Sequence, residues 1–128
     1  MSDKLQFSLV SPERELFNGE VDQVDVPGTE GDFGVLPLHA PFMAAIRTGA
    51  ITVFNDGAET KYMIQGGFAD VTPDGLTVLA ERATLLEDVN AEELAAEIAS
   101  AEQALEDAEG DAKLDAAQHL EGLKSLQG

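Results

Sequence analysis

One break in composition constrains this chain more than any other feature. Before Asp88, glycine and proline interrupt short apolar runs every few residues; after it they almost vanish, and Ala and Glu dominate. Glycine supplies backbone conformations that other residues avoid, and proline removes a donor and fixes φ, so their density sets how long any regular element can run. The first part therefore reads as many short strands, and the second as helix.

Leu5-Gln-Phe-Ser-Leu alternates apolar and polar, as a half-buried strand does. Val24 and Val26 flank Asp25 in the same way. Leu16-Phe17 precedes Asn18-Gly19, which predicts a turn. Asn55-Asp-Gly57 lies between Ile51-Thr-Val-Phe and Tyr62-Met-Ile, a hairpin signature. Thr72-Pro-Asp-Gly75 lies between Phe68-Ala-Asp-Val and Leu76-Thr-Val-Leu and predicts a second hairpin. Close turn signals without helical period argue for a β-sandwich up to about Leu86.

Beyond Asp88, Asn90 can cap a helix, with Glu93 completing an Asn-x-x-Glu variant of the capping box. Leu94, Ile98, Ala101 and Leu105 recur at helical spacing. Gly110 stops this helix, and Asp111 can cap another with a stripe of Ala112, Ala116, Leu120 and Leu123. So short a link favours an antiparallel hairpin. The predicted organisation is a β-sandwich domain over 1–87 and a helical hairpin over 88–128. The hairpin stripes are thin: a buried Ala methyl contributes roughly 0.8 kcal/mol, a buried Leu about 1.5–3. A detachable element and a permanently docked one both fit.

The net charge of −18 is unsuited to nucleic acid or anionic lipid. Residues 88–128 hold 11 acids and two bases, hence −9, and the first 87 residues carry the other −9. Such excess acid at the least keeps a protein soluble. There is no Cys, so disulfides, thiolate zinc sites and cysteine nucleophiles are excluded. No apolar run of about 18 residues is present, so no insertion into a membrane is expected, and the N-terminus lacks the look of a signal or transit peptide.

Val26 to Ile51 reads as a rigid exposed knuckle. Gly28, Gly31 and Gly34 punctuate a turn, Glu30 and Asp32 sit among them, and Leu38, His39 and Pro41 make a corner between two apolar runs. The glycine spacing does not match a phosphate loop, no Lys follows, and Glu30 and Asp32 would repel phosphate. Asp107-x-Glu109-x-Asp111 lacks the glycine of a calcium loop, Ala112 standing in its place. His39 could pair with Asp32 as a base, but no hydroxyl in the corner offers a nucleophile. A backbone hydrogen bond at the corner and a role in partner contact both remain open for His39. His119 reads as a solvated helix residue. Phe33 and Phe42 read as core, and Leu38 as an exposed apolar contact suited to a protein partner. No cofactor is expected.

Gly31-Asp-Phe-Gly-Val-Leu-Pro, His39-Ala-Pro and Ile46-Arg-Thr-Gly-Ala-Ile, followed by Gly66-Gly-Phe-Ala-Asp-Val and Leu76-Thr-Val-Leu-Ala, resemble the epsilon chain of bacterial F-type ATP synthases. The resemblance runs in order from about Leu5 to Asp88 and continues only as a helical hairpin. It implies an all-β flattened sandwich of about ten strands followed by a C-terminal α-helical hairpin. It also implies a non-catalytic rotor subunit that clamps the gamma chain and rests on the polar loops of the c-ring, with Glu30, Asp32 and His39 at that contact; Leu38 joins them as the exposed apolar residue of the corner, where many relatives have a small or polar one. The implied location is peripheral, on the cytoplasmic face of the bacterial inner membrane. In some relatives the hairpin extends into the catalytic alpha/beta head, or binds ATP through Ile/Leu-Asp-x-x-Arg-Ala. The matching stretch here has Asn90 and Glu93 where that motif has Asp and Arg, which removes a phosphate partner and adds repulsion. No nucleotide binding and weak inhibition of hydrolysis are expected. The rival reading is a free-standing ligand-binding β-sandwich.

Overall fold

The computed structural model describes residues 4–37 and 41–127. Eight strands come first: β1 Leu5–Val10, β2 Glu15–Val21, β3 Gln23–Gly28, β4 Gly31–Val35, β5 Phe42–Ile46, β6 Gly49–Asn55, β7 Ala58–Thr72 and β8 Gly75–Leu85. A 3-10 turn, Leu86–Asp88, leads to two helices, α1 Ala91–Asp107 and α2 Asp111–Ser125. The strands lie in the order β2-β1-β8-β7-β5-β3-β4, with β6 joining β3 to β7. All pairings are antiparallel except β1 with β8.

The described residues hold eight strands where about ten were expected, because β7 and β8 are long. Tyr62-Met-Ile and Phe68-Ala-Asp-Val are two ends of one strand. β7 pairs β6 up to Ile64 and β5 from Gly67 onward. Between these spans Gly66 and Gly67 take φ of 74° and 141°. A Cβ on Gly67 would lie 2.2 Å from the Leu79 carbonyl oxygen, so only glycine permits this kink. The kink folds the long ribbon over, and the two layers close on one core. Phe7, Leu9, Val24, Ile51, Ile64, Leu76 and Val78 are fully buried there.

Local signals held in part. The β6–β7 turn has Asp56 and Gly57 at φ of 53° and 84°, as a tight hairpin requires. The β7–β8 turn is closed by Thr72, whose hydroxyl accepts from the Gly75 N–H at 3.2 Å. Asn18-Gly19, expected to turn, lies inside β2 opposite Ser8 and Phe7. The chain reverses instead at Ser11–Arg14, where the Ser11 N–H donates to the Arg14 carbonyl at 2.9 Å. Pairing along β1 overrides the local preference. Phe33 and Phe42 are half-buried, packed edge-to-face at 5.3 Å against the core margin.

The hairpin has a core of its own: Leu94, Ile98 and Ala101 of α1 meet Leu120 and Leu123 of α2. Asn90 caps α1, its Oδ1 accepting from the Glu92 and Glu93 N–H groups at 2.8 and 3.2 Å. α1 ends at Asp107, and Gly110 rather than Asp111 occupies the cap of α2. The first turn of α2 is exposed, Ala112 included, so its stripe is shorter than the spacing suggests.

Candidate functional site: the β3–β4 knuckle and its supports

The knuckle is a two-residue turn, Thr29-Glu30, closing the ladder from Val26↔Phe33 to Gly28↔Gly31. Its base is rigid. A Cβ on Gly28 would lie 2.5 Å from the Gly31 carbonyl oxygen. The Thr29 N–H donates to the Ala45 carbonyl at 3.0 Å, and the Arg47 N–H to the Pro27 carbonyl at 2.9 Å. Pro27 and Gly28 are buried, while Thr29, Glu30, Gly31 and Asp32 are exposed.

Glu30 and Asp32 are thus brought together on one tip, as expected. Asp32 is also held from inside the chain, by an ion pair to Arg47 Nη2 that leaves its side chain 69% exposed. The same guanidinium donates through Nη1 to the Thr48 carbonyl at 3.2 Å. Leu38 and His39, expected at this contact, lie outside the described residues. Asn90 and Glu93 lie elsewhere, in the capped first turn of α1.

The hairpin seats on the sandwich close by. Tyr62, Met63 and Ile64 are all buried, so β7 is covered on both faces there. Met63 shares its outer face with Gln65 and, across the ladder, Arg82. Glu97 of α1 reaches both, 2.8 Å from Arg82 Nη1 and 3.3 Å from Gln65 Nε2. On α2, Gln118 Nε2 donates to the Thr29 carbonyl at 2.9 Å. His119, which the sequence leaves in solvent, is half-buried and shares a 2.6 Å hydrogen bond between Nδ1 and Thr48 Oγ1. Gly122 is buried against Thr48, where a Cβ would come within 1.9 Å of the carbonyl oxygen. Between α2 and the β3/β4/β6 face runs a cleft of about 830 Å³, lined by Pro27, Phe33, Ala50, Leu114, Arg47 and Glu121 among others.

A second surface is apolar. Val10, Leu79, Phe68 and Ala45 stand in one cross-strand row over β1, β8, β7 and β5. Phe68, Leu79 and nearby Met43 are 56, 55 and 67% exposed.

Among the described residues no group of three or more His, Cys, Asp or Glu is placed to hold a metal ion. No helix among them is long and apolar enough to cross a membrane. Lys4 is held above its usual basic range by hydrogen bonds to Asp22 and then Asp56, and Asp22 below the carboxylate range by Lys4 and the Asp56 N–H. This cluster ties β1 to the β6–β7 turn; it offers no catalytic pair. From sequence, Arg47 and Thr48 stood only within the Ile46-Arg-Thr-Gly-Ala-Ile run, with no role of their own, and Gly122 was not singled out. The one available signal was Gly122, a poor helix former inside a helical segment.

Residues 4–86 match the family model described as ATP synthase, Delta/Epsilon chain, beta-sandwich domain. The chain is 62% identical over 103 residues to the ATP synthase epsilon chain of Maricaulis maris, covering 80% of this chain and 77% of that one. It is 51% identical over 131 residues to that of Hyphomonas neptunium, covering 98% and 97%. Among solved structures it resembles a chain of the Euglena gracilis mitochondrial ATP synthase OSCP/F1/c-ring assembly, with a TM-score of 0.78 and 22% identity over 96% of this chain and 79% of that one.

Proposed function

The chain belongs to the ATP synthase delta/epsilon family, and we propose on that premise that it joins the gamma chain to the c-ring in the central stalk of a proton-translocating F-type ATP synthase. It is a non-catalytic subunit in this reading and turns with its partners as proton flow drives ATP synthesis. The observation that carries the reading is the presence of two unlike surfaces on one rigid sandwich. The row of Phe68 and Leu79, with Met43 beside it, is an apolar patch of the kind that marks a protein contact, and we assign it to gamma. The tip carrying Glu30 and Asp32 is polar, glycine-shaped and firmly based, and we assign it to the polar loops of the c-ring. His39 joins that contact by the resemblance of the corner, and Leu38 as the apolar residue beside it.

The hairpin is a weak inhibitor of ATP hydrolysis in this reading. α2 offers Lys113 and Lys124 against Asp111, Asp115 and Glu121, and His119 is engaged with Thr48. Exposed pairs contribute at most about 1 kcal/mol each, too little to offset repulsion from acidic loops on a catalytic head. The subunit is peripheral, on the cytoplasmic face of the membrane.

The test is to tag the chain, isolate it from detergent-solubilised membranes and identify what accompanies it. Gamma and c subunits are the expected companions, and Phe68→Asp should release gamma. A tagged chain that emerges alone would favour a free-standing binding module.

A further inference from the structure

We propose that the seat of the hairpin and the knuckle are mechanically coupled, with the Thr48 carbonyl and the Thr29 carbonyl as the two shared points. The inference rests on the reading of the knuckle as a partner contact for its biological meaning, but its physical basis is independent of it.

The Thr48 carbonyl is met from two sides. Arg47 Nη1 donates to it, and the same Arg47 holds Asp32 on the knuckle. From the other side Gly122 packs against it so closely that a Cβ would not fit. His119 grips the side chain of the same residue, the one buried polar side chain among the described residues. One residue therefore takes α2 on one side and the guanidinium that supports Asp32 on the other. The second point is more direct, since Gln118 of α2 donates to the Thr29 carbonyl in the turn itself. The sandwich core and the hairpin core are separate clusters, and these polar contacts and the Glu97 pair cross the seam between them beside the buried Met63.

When α2 leaves its seat, the Thr29 carbonyl loses its donor and Thr48 loses both His119 and the Gly122 backbone. The knuckle is then held by its base and by an Arg47–Asp32 pair whose Thr48 support has lost its partners on α2. Linkage makes the effect reciprocal: a partner that grips the knuckle in the docked geometry favours the docked hairpin. The device reports the position of the hairpin to the surface carrying Glu30 and Asp32.

The test uses the isolated full-length chain and amide hydrogen exchange read residue by residue. Gly122→Ala adds a methyl that the Thr48 carbonyl excludes, while improving intrinsic helix propensity. It is expected to unseat α2 without melting it, and to speed exchange at 29–33 by about five- to tenfold, near the lower end of ordinary couplings between sites. Gln118→Ala, which introduces no clash, should speed exchange at 29–33 severalfold. Arg47→Met works from the knuckle side and should speed exchange in the last two turns of α2. Core amides at Phe7 and Ile64 serve as the measure of global stability. Unchanged exchange at the knuckle in both α2 variants, or a hairpin that stays seated in Gly122→Ala, would overturn the proposal. Neither result bears on whether the chain isolates with gamma and c subunits.

Discussion

The sandwich and the hairpin solve the same problem with unequal means. Among the described residues, of the twelve largest side chains that are under 2% exposed, eleven belong to strands and only Leu123 to the hairpin. The sandwich interleaves Val, Leu, Ile and Phe from two layers, each buried side chain contributing about 1.5–3 kcal/mol. The hairpin closes on Leu94, Ile98, Ala101, Leu120 and Leu123 and leans on the sandwich over Met63 and Thr48, with hydrogen bonds and one ion pair fixing the seat. A core built from apolar area is cooperative and hard to open in part. A seam built from directional contacts opens when a few of them are lost, and it can respond to a partner.

The comparison is broken most forcefully at the kink. Gly67→Ala places a methyl against the Leu79 carbonyl and should cost more than about 3 kcal/mol in denaturant unfolding, through backbone strain and overpacking together. Ile64→Ala, in the same strand, should cost about 2–5 kcal/mol of global stability. Ile98→Ala in the hairpin should instead speed amide exchange in α1 and α2 while leaving the sandwich midpoint unchanged. Equal losses of global stability for Ile64→Ala and Ile98→Ala would mean that the two parts form one cooperative unit.

Removal of the hairpin is the next largest perturbation. A chain ending at Glu87 should keep dispersed amide resonances and unfold in one transition, since every strand lies before that point. It exposes Met63, so a modest loss of stability is expected. ATP hydrolysis by enzyme carrying this chain should match that of enzyme with the full chain. A several-fold rise, with assembly unchanged, would restore an inhibitory hairpin.

Smaller still is the cap. Asn90→Ala removes the acceptor of two N–H groups and should cost about 1 kcal/mol, visible as fraying of α1 and absent from the sandwich. Because the Asn90 side chain is engaged as the cap and Glu93 presents a carboxylate that repels phosphate, calorimetric titration of the full chain with ATP should show no binding. A dissociation constant in the micromolar range would overturn that expectation.

The smallest effect lies on the sandwich surface, at Lys4 and Asp22, 2.7 Å apart. Asp22 titrates below its ordinary 3.8, so its contribution is present above that pH and is lost as pH falls through the folded value. Lys4 titrates above its ordinary 10.5, so its contribution is present below that pH and is lost as pH rises through the folded value. Lys4→Met should therefore lower the midpoint slightly across the neutral range. The gap between variant and wild type should close below pH 3.8 and again as pH climbs past 10.5. A gap that persists at acid pH would assign the effect to packing of the lysine stem.

Short-range order was legible in the residues themselves. Alternation in Leu5–Leu9 placed β1, Asn55-Asp-Gly57 placed a hairpin, Asn90 placed a helix start, and the change at Asp88 divided strand from helix. These signals act within a few positions, where backbone sterics and local hydrogen bonds decide the outcome. The tertiary structure decided the rest. It made β7 a single kinked strand by handing it from β6 to β5, and it drew Asn18-Gly19 into the ladder along β1. It set Arg47 on Asp32 across 15 residues, His119 on Thr48 across 71 and Gln118 on Thr29 across 89. Such partners meet only after the core has closed, because no single position gains from a contact whose other half is fixed by the burial of distant apolar side chains.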